Sequence, residues 1–171
     1  MRSSAPFKCD YGEIHATYDI DTDSLETLSR DFPIFIGRDD HGSRCYDHLS
    51  LFAVLTDEDA MERLIQRFGD DILSFRNTDN GNVLHEIVMN PNQNCYTILV
   101  SHLKDGDLLE LANMEDRYKK KPIAYNKNFG IFNHLKYYTD FTPQLLLECQ
   151  ENSQEVCEFV LRELIQAGTL S

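Results

Sequence analysis

The sequence predicts an all-α fold: a helical repeat solenoid of three or four degenerate repeats (46–138), preceded by an acidic N-terminal arm (1–45) and closed by a C-terminal helical cap or last repeat (139–171). Three observations carry that expectation. Apolar residues recur at helical spacing in segments too short to be stable alone, so each must bury its face on a neighbour. Dense polar turns separate these segments, above all Asn77-Thr78-Asp79-Asn80-Gly81-Asn82. The plan of two short helices and a turn then recurs after Asn82 and again after Lys121.

With 171 residues, 42% apolar and 26% charged, the chain can bury one core without disulfide or metal staples. Lys and Arg total 16 against 29 Asp and Glu, a formal net charge of -13. That field repels phosphate backbones and anionic lipid, so a protein partner with a basic surface is expected rather than nucleic acid or membrane. No stretch is long and apolar enough to span a membrane, and Met1-Arg2-Ser3-Ser4-Ala5-Pro6 lacks the apolar run of a signal peptide, which points to the cytoplasm or nucleus. Cys9, Cys45, Cys95, Cys149 and Cys157 form an odd set without a Cys-x-x-Cys pair, as reduced thiols do.

The arm carries Asp10, Glu13, Asp19, Asp21, Asp23, Glu26, Asp31, Asp39 and Asp40. A short helix from Ser24 to Arg30 is expected within it, because Asp23 or Ser24 can cap it and Leu25 and Leu28 share a side. Phe32, Ile34, Phe35 and Ile36 lie beside Pro33 and before Gly37, which reads as an extended segment pressed on the body. His48 to Leu55 reads as the first apolar helix. Thr56-Asp57 caps a second, in which Ala60, Met61, Leu64, Ile65 and Phe68 share a face, and Gly69 stops it. Val83 to Met89 and Cys95 to Leu103 form the next pair, broken at Asn90-Pro91-Asn92. The stretch from Lys104 to Tyr118 reads as a long linker. A third pair follows in Pro122-Ile123-Ala124-Tyr125 and Phe129 to Tyr138.

Asp79-Asn80-Gly81-Asn82-Val83-Leu84-His85-Glu86 resembles the opening of an ankyrin repeat, where a turn with Gly precedes a Thr-Pro-Leu-His-like helix start. The resemblance implies that Gly81 takes a positive φ, that Leu84 points into the stack and that His85 bridges backbone groups of adjacent turns. Lys121-Pro122-Ile123-Ala124-Tyr125 looks like the same unit again, with Pro122 in a first helical turn, where its missing N–H costs nothing. The step from Leu84 to Ile123 exceeds the usual period of about 33 residues, and an elongated finger loop between Lys104 and Tyr118 would absorb the excess. The stretch Leu49 to Met61, read on through Val88, is similar to the first repeats of IκB-type inhibitors, short viral mimics included. A weaker similarity, at Gly81-Asn82-Val83-Leu84-His85 and Gly130-Ile131-Phe132-Asn133-His134, is to the ankyrin block of vanilloid-type TRP channels. Thr142-Pro143 to Gly168 matches the start and end of a last unit.

The chemistry-bearing residues give catalysis no positive support. His41, Cys45 and His48 are a set that zinc accepts. They lack an obvious fourth ligand, however, and His41-Gly42-Ser43 reads more simply as a turn. No phosphate loop, His-Glu-x-x-His or Gly-x-Ser-x-Gly motif is present, and no cofactor or metal is expected. Cys149 and Cys157 fall in the apolar pattern of the last helices. Arg117-Tyr118-Lys119-Lys120-Lys121 concentrates basic charge in an acidic chain; the plainer reading is a solvated loop offset by Asp105, Asp107, Glu110, Glu115 and Asp116. The candidate partner-binding residues are Asp79 and Asn80 in one finger and Tyr118, Lys119 and Lys120 in the next. Their expected use is non-catalytic protein binding through a concave face and finger loops. The IκB-like resemblance implies masking of a Rel-type transcription factor. An adaptor that recruits a client, or a small metal- or thiol-dependent enzyme, are the alternatives.

Overall fold

The computed structural model describes Ser24, residues 32–149 and residues 154–166; the helix expected from Ser24 to Arg30 lies outside them. Strands β1 (Phe32–Arg38) and β2 (Arg44–Leu49) pair antiparallel, with Pro33 opposite His48 and Ile34 opposite Asp47. The extended segment expected at Phe32–Ile36 is therefore a strand. The helix expected from His48 begins later. Residues up to Leu49 are held in the ladder and Ser50 is still extended, so α1 covers only Leu51–Val54.

The chain continues through α2 (Glu58–Phe68), a 3-10 turn (Gly69–Ser74), α3 (Val83–Ile87), α4 (Gln93–Ser101) and α5 (Asp105–Asn113). A 3-10 turn (Pro122–Tyr125), α6 (Phe129–Leu135), another 3-10 turn (Lys136–Tyr138), α7 (Pro143–Cys149) and α8 (Gln154–Gln166) complete it. The described residues are mostly helical, with one short hairpin.

Local chemistry explains the boundaries. The Asp57 carboxylate accepts the Ala60 N–H at 3.0 Å and caps α2, Glu58 and Asp59 sit in its positive first turn, and Arg67 sits in its negative last turn. Ala60, Met61, Leu64 and Ile65 form its buried face. Asn82 caps α3, Asn92 caps α4, Asn128 caps α6, and the Thr142 hydroxyl accepts the Leu145 N–H at the start of α7.

The helices pack in two rows. In one, α1 meets α3, α3 meets the 3-10 turn Pro122–Tyr125, and that turn meets α7. In the other, α2 meets α4, α4 meets α6 and α6 meets α8. A single core runs between the rows, from Leu51, Phe52, Met61 and Leu64 through Leu84, Ile87 and Leu99 to Ile123, Phe132 and Val160. Buried Asn90 joins successive pairs: its amide donates to the Phe52 carbonyl at 2.9 Å and the Leu55 carbonyl at 2.7 Å, satisfying groups at the end of α1.

The linker expected as an elongated loop from Lys104 to Tyr118 is instead mainly helix α5. Asp105 and Asp107 occupy its first turn, where carboxylates complement the helix dipole. Leu108, Leu111 and Ala112 bury its face, and the Asn82 side chain donates to the Leu111 carbonyl at 2.9 Å.

Candidate functional site: three equivalent turns

The polar turns share one hydrogen-bond pattern, in Asp39–Ser43, Asn77–Gly81 and Asp116–Lys120. In each, the side-chain Oδ1 of the first residue accepts the N–H groups of the third and fifth. Asp39 takes His41 and Ser43, both at 2.9 Å. Asn77 takes Asp79 at 2.9 Å and Gly81 at 2.7 Å. Asp116 takes Tyr118 at 2.9 Å and Lys120 at 3.0 Å. The main chain closes each turn twice. The first N–H donates to the fifth carbonyl at 2.9, 2.9 and 3.0 Å, and the fourth N–H to the first carbonyl at 3.0, 3.0 and 2.9 Å. The pattern begins in the first turn at Asp39, ahead of residue 46.

Closure places the fourth residue in the left-handed region: Gly42 at φ 79°, Asn80 at φ 61° and Lys119 at φ 61°. The positive φ expected at Gly81 thus falls on Asn80. Gly81 is needed for space instead, since a Cβ there would lie 2.9 Å from Asn77 Nδ2 and 3.1 Å from His85 Cβ.

Two residues lock the second turn to the third. The Arg117 N–H donates to the Asp79 carbonyl at 2.8 Å, and Arg117 Nε pairs with Asp79 Oδ1 at 3.3 Å. His85 Nδ1 accepts the Asn82 N–H at 2.9 Å, which puts the ring proton on Nε2, where it donates to the Lys120 carbonyl at 2.8 Å. Burial holds the His85 pKa below its ordinary value, opposed by the bond to Lys120, so the ring is a neutral bridge between turns.

Asp116 is the internal anchor of the third turn. It is buried, and its other oxygen accepts the Tyr125 hydroxyl. Burial first, and this carboxylate second, push the Tyr125 hydroxyl pKa upward.

Of the candidate partner-binding residues, Asn80, Tyr118 and Lys119 are exposed at these turns, Tyr118 at 53%. Asp79 is half-buried and engaged with Arg117. Lys120 is half-buried, with its ammonium 5.7 Å from the Tyr125 ring centre. The turns bring all five together. Sequence reasoning read Asp116 only as a charge offsetting the basic run, did not pair it with Tyr125, and did not single out Arg117; the signal available was the recurrence of Asp or Asn at 39, 77 and 116.

Elsewhere, burial pushes the Cys95 and Cys149 thiols up to about 12, which keeps both protonated at neutral pH. Among the described residues no group of three or more His, Cys, Asp or Glu side chains is placed to hold a metal ion, and no helix is long and apolar enough to cross a membrane. No family model, curated protein or solved structure matches the chain.

Proposed function

We propose that the chain is a non-catalytic protein-interaction module of degenerate ankyrin-like repeats, which binds its partner through the row of turns and the helix ends beside them. One observation carries the reading. Each turn satisfies four of its five backbone N–H groups internally and so holds exposed Asn80, Tyr118 and Lys119 on ordered backbone. A backbone ordered before contact loses little freedom on binding, which is what a recognition surface needs. The two rows of packed helices support the repeat reading, and the -13 charge favours a partner with a basic surface. Masking of a Rel-type factor rests on the IκB-like resemblance alone.

Site-specific photo-crosslinking tests the reading. A photoreactive phenylalanine analogue replaces Asn80, Tyr118, Thr97 or Lys127, all exposed, and the chain is irradiated in native lysate. Discrete adducts from positions 80 and 118, without matching adducts from 97 and 127, are expected. The same adducts from all four positions, or none from 80 and 118, would contradict it.

A further inference from the structure

The three equivalent turns differ at the position that must be left-handed, and that difference carries an inference about the partner. Gly42 and Asn80 suit a positive φ; Lys119 does not, since its Cβ crowds the following carbonyl. The turn itself gives no reason for lysine there. Strain retained at an exposed tip points to a contact that uses the side chain.

The neighbours of Lys119 show what the contact would be. Arg117 is 60% exposed, lies with its guanidinium 4.8 Å from the Tyr118 ring centre, and donates through Nη2 to the Tyr118 hydroxyl at 2.8 Å. With Nε on Asp79 and Nη2 on Tyr118, three of its five N–H groups remain outside these contacts, in a fork that matches a carboxylate. Asp116, which precedes Arg117 in the chain, turns its carboxylate inward onto the turn amides and Tyr125. No carboxylate among the described residues pairs with Lys119.

We propose that Arg117, Tyr118 and Lys119 form a receptor for a short acidic peptide segment of the partner, with carboxylates on Arg117 and Lys119 and apolar contact on the Tyr118 ring. This deepens the protein-binding reading and rests on it. An acidic segment is favoured over a nucleic acid because the -13 charge repels a long polyanion while a few carboxylates meet only the tip. The rest of the acidic surface remains available to basic parts of the same partner.

Fluorescence anisotropy with the full chain tests this, using a labelled peptide of consecutive Glu residues between Gly-Ser spacers, its Gln counterpart, and a single-stranded oligonucleotide of equal charge. The Glu peptide is expected to bind more tightly than either, and added salt to weaken it. Lys119→Gly, which suits the turn and keeps the chain folded, and Arg117→Gln should each weaken it by about two- to fivefold, while Lys127→Gln leaves it unchanged. Equal binding of the Glu and Gln peptides, indifference to Lys119→Gly and Arg117→Gln, or tighter binding of the oligonucleotide would overturn the proposal. Partner adducts at positions 80 and 118 with no preference for the Glu peptide would remove this inference and leave the protein-binding reading standing.

Discussion

His85 joins two turns with one uncharged ring, and both of its nitrogens are used. His85→Ala removes an acceptor for the Asn82 N–H and a donor to the Lys120 carbonyl, and is expected to cost about 1–3 kcal/mol in urea unfolding. Its pH dependence has a definite sign. Burial sets the folded pKa below 6.5, so the unfolded chain takes up the proton first on acidification. The stability that His85 contributes is complete above that value and is lost as pH falls through the folded pKa. The drop in urea midpoint from about pH 7.5 to about pH 5 should therefore be smaller in His85→Gln than in the parent chain. An equal drop in both would show that other groups set the acid sensitivity.

At the scale of elements, caps and one buried amide fix where helices start and how they join. Asp57→Ala removes the cap of α2 and should lower stability by about 1 kcal/mol. Asn90→Ala leaves the Phe52 carbonyl without its side-chain donor and the Leu55 carbonyl with only the Cys95 thiol at 3.5 Å, and should cost about 2–4 kcal/mol, whereas exposed Asn94→Ala should stay within about 0.5 kcal/mol. Thermal melts of the three variants check the order. The cap at Asp57, the break at Asn90-Pro91-Asn92, the stop at Gly69 and the apolar face of α2 were legible because local spacing and capping chemistry determine them. α5 was not, because Gly106 between Asp105 and Asp107 reads as a turn, and only burial of Leu108 and Leu111 against neighbours makes that segment a helix. The first turn was legible as a turn at His41-Gly42-Ser43, but its equivalence to the other two was not, for a related reason. β2 separates it from α1, whereas the second and third turns run almost directly into the helical segments beginning at Val83 and Pro122. The candidate residues Asn80, Tyr118 and Lys119 were legible as turn tips, but the carboxylate that organises the third turn was not, since inward orientation depends on the folded backbone.

Over the whole molecule, the recurring turn separates architecture from recognition. Its hydrogen bonds come from the first side chain and the main chain, so the intervening residues can change while the packed rows of helices stay in place. Exchanging the third turn for the second tests this directly. Arg117→Thr, Tyr118→Asp, Lys119→Asn and Lys120→Gly together place there the residues of positions 78 to 81 and keep the anchor Asp116. Surface plasmon resonance of this variant against the partner identified by crosslinking, with circular dichroism as the folding control, is the most direct measurement of the central claim. The account predicts an unchanged helical spectrum and an affinity at least about tenfold weaker, chiefly through faster dissociation as the Tyr118 contact is lost. Unchanged association and dissociation rates in the folded variant would contradict it.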